Sequence, residues 1–279
     1  NSIELEEAYI TYNPPGLPDF QVKAGKFVTL LGAEVIEPWR NANVSRSLAY
    51  TFAIPIGHTG ALASYAIAEQ ASVTLGIVNG WDNVVDSNDG KSVTGNVTIT
   101  PVEQFSLAIN GIYGCEQPNN GEPGSAHAGE SKRGVVDLVA TIKPIDNFVI
   151  SLNYDYGNES ELDAATRGTE EWNAFSGILS YDIPDILPVP VGFALRGEYF
   201  DDSDGTRLQP AGAGYGKYQS AWEVTGTFKV VLAKGLMFRT EYRYDAAKHD
   251  LYENTVGAVG TDHIQDDQHT VAAELSYVF

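Results

Sequence analysis

Polarity in this chain alternates residue by residue, in block after block, almost to the last position. In Phe148-Val149-Ile150-Ser151-Leu152-Asn153-Tyr154-Asp155-Tyr156, Phe, Ile, Leu and two Tyr fall on one side, and Val, Ser, Asn and Asp on the other. Ala71, Val73, Leu75 and Ile77 likewise alternate with Ser72, Thr74 and Gly76. Val189, Val191, Phe193, Leu195 and Tyr199 alternate with Gly192, Ala194, Arg196 and Glu198, and Trp222, Val224, Phe228, Val230 and Leu232 with Glu223, Thr225, Thr227 and Lys229. Successive side chains of a strand leave opposite faces, so a period of two means strands with one apolar and one polar face. The pattern predicts about thirteen strands, over residues 3–12, 19–31, 57–68, 71–82, 91–101, 104–115, 133–143, 147–157, 170–182, 189–200, 217–232, 236–246 and 267–279.

Strand length separates the two ways of using such strands. Strands of soluble sandwiches usually run ~5–6 residues, whereas a tilted strand crossing a bilayer needs ~9–11, and these are of the longer kind. The connections alternate as well. Short ones fall at 100–104, 143–147, 182–185 and 233–235, and long ones rich in Asn, Asp, Gly and Ser near 32–57, 82–91, 116–132, 157–170, 201–217 and 246–266. Short turns at one end and long loops at the other are the layout of an outer-membrane barrel. Aromatics close the apolar faces (Phe105 and Tyr113, Phe148 and Tyr156, Phe193 and Tyr199, Phe238 with Tyr242 and Tyr244), as interfacial girdles do. The last strand sets Val271, Ala273, Leu275, Tyr277 and the terminal Phe279 on one face, which resembles the signal that bacterial outer-membrane barrels present to their insertion machinery.

Composition excludes several classes. Lys and Arg total 17 against 37 Asp and Glu, a net charge of −20, which argues against nucleic acid as a partner. A single cysteine, Cys115, excludes a disulfide framework and a multi-cysteine metal site; its parity places it on the lipid-facing set. No apolar stretch approaches the ~18 residues of a spanning helix. Asn1–Glu7 has neither the basic start nor the apolar core of a signal peptide. Bacterial single-chain barrels usually have an even number of strands with both ends periplasmic. The expectation is therefore one all-β antiparallel up-and-down barrel over 1–279, N-terminally incomplete, belonging to a barrel of ~14–18 strands, with sixteen as the central value.

In a barrel of this size the polar faces line the lumen. The inward set comprises Asp137, Lys143, Asp155, Arg196, Glu198, Glu223, Lys229, Arg239, Glu241, Arg243, Asp245 and Glu274. These charges either set up a transverse field across a pore or pair with neighbours and stiffen the wall. The segment 32–57 is the candidate constriction. It is long, yet apolar for an exposed loop (Val35, Ile36, Trp39, Leu48, Tyr50, Phe52, Ile54), and it carries Glu34, Glu37, Arg40 and Arg46. Folded into the mouth, it would set pore radius and charge; the alternative is an external strand extension or subunit contact.

Acids concentrate in the long loops: Asp82, Asp86, Asp89, Glu116, Glu122, Glu130, Glu159, Glu161, Asp163, Glu170, Glu171, Asp201, Asp202, Asp204, Asp250, Asp262, Asp266 and Asp267. Such a rim raises the local cation concentration and predicts a mild cation preference, although solubility or divalent bridging to lipid headgroups would also use it. Asp201-Asp202-Ser203-Asp204-Gly205 lacks the spacing and final Glu of an EF-hand. Catalytic patterns are thin. His58, His127, His249, His263 and His269 are scattered, no Gly-x-Ser-x-Gly elbow exists, and His269 and Ser276 lie on opposite faces of one strand.

Within residues 1–110 specific words add to this texture. They are Glu7-Ala8-Tyr9, Val22-Lys23-Ala24-Gly25-Lys26-Phe27, Glu34-Val35-Ile36-Glu37-Pro38-Trp39, Ser45-Arg46-Ser47, Phe52-Ala53-Ile54-Pro55, His58-Thr59-Gly60 and Leu75-Gly76-Ile77-Val78-Asn79-Gly80-Trp81-Asp82. In these words the chain resembles the "putative β-barrel porin-2" family of bacterial outer-membrane proteins, whose members usually have further strand material ahead of the Glu-Ala-Tyr segment. The resemblance implies a porin. The combined expectation is passive diffusion of small hydrophilic solutes or ions, with no reaction, cofactor or metal, in contact with outer-membrane lipids and as a homo-oligomer (a trimer is the leading choice). A structural barrel housing a partner or redox conduit is the main alternative and an outer-membrane hydrolase a second.

Overall fold

Strands with one face in hydrocarbon must satisfy every backbone hydrogen bond by pairing with neighbours, because lipid offers no partner. The computed structural model of the chain has this arrangement. It describes residues 5–86, 90–116, 132–160, 169–183, 189–208, 218–254 and 263–279. Thirteen strands form one antiparallel sheet in chain order: β1 (Ala8–Tyr12), β2 (Phe20–Val28), β3 (Gly57–Ala68), β4 (Ala71–Val78), β5 (Ser92–Val102), β6 (Phe105–Cys115), β7 (Lys132–Ile145), β8 (Phe148–Ser160), β9 (Thr169–Ile183), β10 (Val191–Asp202), β11 (Gln219–Ala233), β12 (Leu236–Ala247) and β15 (Asp267–Tyr277). A two-stranded hairpin, β13 (Tyr252–Asn254) with β14 (His263–Gln265), forms inside the connection expected at 246–266. β1 and β15 are the edges of the sheet and are not paired with each other, so the barrel is not closed. Among the described residues no helix is long and apolar enough to cross a membrane.

Burial follows the period of two. Leu75, Ile77, Phe193, Leu195, Tyr199, Val224, Tyr242, Val271 and Leu275 are exposed on the outer face, while Asn110, Asp137, Asp155, Arg196, Glu223, Arg239 and Glu241 are buried on the inner one. This inverts the rule for water-soluble proteins and gives the outer surface an apolar character suited to lipid. Aromatic rings pair across neighbouring strands, as in Phe148–Tyr181 (6.1 Å), Phe193–Phe228 (5.1 Å) and Trp222–Tyr244 (5.4 Å). Tight turns close the short connections. Asn147 between β7 and β8 and Gly235 between β11 and β12 take positive φ (63° and 76°), the geometry that the twist of a hairpin favours.

The inner face is not uniformly wet. Phe27, Leu31, Leu48, Tyr50, Ala53 and Ile54, five of them on the β2–β3 connection, pack against Leu62, Val78, Ile112, Val135, Trp172 and Phe200 of the inner wall as a small apolar core. That connection carries a 3-10 turn at Pro38–Arg40 and a π turn at Ala49–Ala53. Cys115 departs from the lipid-facing position expected of it: it is buried, and the ammonium of Lys132, its register partner on β7, donates to Sγ at 2.7 Å. Alternation fails there because β6 ends, and Gly114 and Cys115 are buried together.

Candidate functional site: an inserted loop and the basin above it

The β2–β3 connection lies against the inner faces of β7 to β12. Its backbone amides donate to buried wall side chains: Gly32 to Asp137 (3.0 Å), Ala33 to Asn153 (2.9 Å), Val44 and Ser45 to the two oxygens of Glu241 (2.6 and 2.9 Å), and Leu48 and Ala49 to those of Glu198 (2.6 and 3.0 Å). Arginines of the wall donate in the opposite direction, to loop carbonyls: Arg239 to Asn41, Asn43 and Pro38 (2.7, 3.1 and 3.0 Å), Arg243 to Arg46 (2.5 Å) and Arg196 to Ser45 (2.7 Å). Trp172 Nε1 and Arg207 Nε hold the carbonyls of Ala53 (3.1 Å) and Phe52 (2.7 Å). A loop has no sheet ladder of its own, so burial demands other partners for its backbone. Here the wall supplies them as charge-assisted bonds.

Side-chain pairs complete the lattice. Arg196 is fully buried and contacts Glu223 (2.6 Å) on the neighbouring strand and Glu34 (3.0 Å) on the loop. Arg239 forms a fork with Glu274, at 2.8 and 2.9 Å from one Nη. Arg243 pairs with Asp245 at 2.5 Å and lies 3.8 Å from Glu223. Arg196, Glu198, Glu223, Arg239, Glu241 and Arg243 therefore face inward but are covered by the loop. Lys229, Glu274 and Lys143 are more accessible: Lys229 meets Asp182 at 2.5 Å near the short-turn end, and Lys143 is exposed at the end of β7. On the loop, Glu34 is the acid that reaches the wall. Glu37 and Arg40 pair with each other at 3.0 Å, and Arg46 donates to the carbonyls of Val44 and Ile36. On the inner faces of β3 to β6 the bonded polar groups are neutral, with Ser64 bonded to Thr74 (2.9 Å), Thr98 to Asn96 (3.0 Å) and Asn96 to Asn110 (2.5 Å).

Several rim acids turn out to be structural. Asp82 accepts from the amides of Ile56 and Gly57 (2.7 and 2.9 Å), and Asp202 from those of Thr206, Arg207 and Leu208 (3.0, 2.8 and 2.6 Å). The oxygens of Asp202 are thus occupied by backbone, and no cluster of three metal-ligating side chains exists among the described residues. Glu116 accepts from the Trp81 amide and the Ser92 hydroxyl, and burial pushes its carboxyl above the usual range. Asp89, Glu122, Glu130, Glu161, Asp163, Asp262 and His127 lie outside the described residues.

At the long-loop end a basin of about 920 Å³ opens above the inserted segment. Arg46, Arg133, Arg207 and Arg243 line it, with Glu159 and Asp245 as its acids. Trp81 is flanked by two guanidinium groups, Arg133 and Arg207, each 4.9 Å from the ring, and Arg207 also lies 5.2 Å from Trp172. Burial, followed by repulsion from Arg133, lowers Arg207 to about 10. Burial likewise raises the Tyr50 hydroxyl beneath Arg46.

The model of the family described as "Putative beta-barrel porin-2, OmpL-like" matches residues 1–279. The chain belongs to this family. It is a porin of the bacterial outer membrane. None of the curated proteins matches it. Solved structures share the fold at low identity. Outer-membrane expressed OmpT of Vibrio cholerae aligns with a TM-score of 0.61 at 12% identity, over 98% of this chain and 81% of that one. The outer membrane channel DcaP of Acinetobacter baumannii aligns at 0.56 and 12%, over 92% and 73%.

Two side chains of the porin's basin, Arg133 and Arg207, and Trp172, against which Arg207 stacks, were not singled out by the pattern of the sequence. For Arg207 a signal exists: it is a cation within six residues of three acids, Asp201, Asp202 and Asp204. For Trp172, an aromatic at inward parity on β9 is the corresponding signal.

Proposed function

We propose that this porin passes small hydrophilic solutes and ions by diffusion through the space that the inserted segment 29–56 leaves inside the barrel, without catalysing a reaction. The observation that carries this reading is the seating of the segment: two wall glutamates, Glu198 and Glu241, each take two consecutive loop amides. A segment fixed at so many points narrows the interior by a constant amount and sets a size limit. The net charge of −20, concentrated in the long loops, supports a mild cation preference. Gly177 and Gly197, directly paired on the outer faces of β9 and β10, leave a shallow surface against which a second copy can pack, in keeping with a homo-oligomer, for which a trimer is the leading choice. Planar-bilayer recording with a salt gradient tests the reading. Discrete conductance steps with a reversal potential on the cation side support it; a protein that folds into bilayers and carries no current sinks it, and favours a structural barrel.

A further inference from the structure

Among the described residues, two of the four arginines in the long-loop basin pair with a carboxylate and two do not. Arg133 forms a fork with Glu159 (3.0 and 2.8 Å) and Arg243 one with Asp245 (2.8 and 2.5 Å). Arg46 gives one bond from each Nη to the carbonyls of Val44 and Ile36, which leaves further N–H donors, and it makes no ion pair among the described residues. Arg207 donates only through Nε, to Phe52, so that both of its Nη groups are without an acceptor among the described residues. The arrangement is costly, since a guanidinium withdrawn from water needs hydrogen-bonded compensation. The stacking on Trp81 and Trp172 provides part of it and fixes the plane of the fork. The whole chain is strongly acidic, yet four arginines line this one cavity, and two of them form no ion pair with a carboxylate among the described residues.

We infer that the basin is a binding station for small solutes carrying two oxyanion charges, a dicarboxylate or a phosphate, with Arg207 and Arg46 as its anchoring groups. A planar guanidinium with two free N–H donors matches a carboxylate or phosphate edge in the bidentate manner that lysine cannot. Thr51, Thr206 and Thr270 line the same space and offer hydroxyl groups to a polar solute body. The acidic loops and the basic floor act on different quantities: the loops bias the bulk flux of small ions, whereas the basin retains one class of solute by contact. The station rests on the diffusion reading only in that it places the basin on the solute path.

Tryptophan fluorescence reports on this site directly, because Arg207 is stacked on two of the four tryptophans. The full chain folded in detergent micelles would be titrated with succinate, with inorganic phosphate and, as the uncharged counterpart, with succinamide. A saturable change with succinate or phosphate and none with succinamide is expected; which of the two oxyanions binds tighter identifies the source. Arg207→Gln and Arg46→Gln should each weaken that binding roughly tenfold or more, the effect of losing a charge-assisted bond, and Arg207→Lys should restore only part of it. Equal responses to succinate and succinamide, or an Arg207→Gln titration superimposed on the parent, overturn the proposal. If the glutamine variants do not fold, the parent titrations alone decide it. Oxyanion binding by a protein that carries no current defeats the diffusion reading and leaves the station standing, whereas current without oxyanion binding does the reverse.

Discussion

Nη1 of Arg196 lies 3.0 Å from Oε1 of Glu34, joining the wall strand β10 to the inserted segment through two side chains that are both withdrawn from water. The same guanidinium reaches Glu223 and the carbonyl of Ser45, so it neutralises two buried carboxylates together. Replacing it with Gln leaves Glu34 without its cation and Glu223 with only the more distant Arg243, and breaking a buried pair from one side costs about 3–5 kcal/mol. The sheet has far more bonds than this one, so the loss falls on the seating of the segment. Arg196→Gln should therefore retain the barrel while raising single-channel conductance severalfold and adding open-channel noise. A conductance equal to that of the parent would show that the segment is held without Glu34.

Gly32 is the point at which the chain turns off β2 into the interior. It has φ of +90°, its amide donates to Asp137, and a Cβ there would stand 2.5 Å from Cδ1 of Ile54. The left-handed backbone alone costs an L residue about 1–2 kcal/mol, and the contact with Ile54 adds to it. Gly32→Ala is expected to loosen the start of the segment and lower thermal stability by a few degrees, whereas Gly16→Ala, which meets nothing within 4 Å at a similar φ of 85°, should show the backbone part alone. Equal melting shifts for the two would remove Ile54 from the explanation.

The outer face can be tested by charge. Leu195 is half exposed at mid-strand on β10, paired with Leu179 on one side and Gly226 on the other. Arg at the hydrocarbon midplane of a barrel costs about 2–4 kcal/mol. Leu195→Arg should lower the folding free energy into phospholipid vesicles by that amount, while Ser64→Arg, on the inner face of β3, should cost much less. Comparable penalties at the two positions would mean that the polarity of the wall has been assigned to the wrong sides.

Strand number, strand direction and the face of each mid-strand residue were legible because the period of two is a local property, set within each stretch of about ten residues. The inserted segment was legible only as a composition, long yet apolar. Its partners were not, since Glu198 binds Leu48 from 150 positions away and Arg239 binds Asn41 from 198, and alternation carries no information over such distances. It gave inward charges for β10 to β12 but could not distinguish those that meet water from those under the loop. The exchange partners also differ from simple wall pairing: Glu198 and Glu241 accept backbone amides rather than arginines. Cys115 was misplaced for a related reason, because parity loses its meaning where a strand ends.

That distinction between covered and accessible charge predicts which cations control selectivity. Arg239 is 1% exposed and its donors are spent on Glu274 and on three loop carbonyls, so permeating ions meet the loop rather than the guanidinium. Lys229 is 28% exposed by side chain, and its partner Asp182 is 57% exposed, at the short-turn end. A charge in contact with water acts on ions over roughly a Debye length, ~10 Å at 0.1 M salt. Lys229→Gln strips Asp182 of its counter-charge and should move the reversal potential in a potassium chloride gradient toward the cation limit, with little change in conductance and a smaller shift in 1 M salt. Arg239→Gln should change conductance and stability first, through release of the turn at Pro38–Arg40, and the reversal potential only secondarily. The opposite order, with Arg239 governing selectivity and Lys229 silent, would place the ion path beneath the loop instead of beside it.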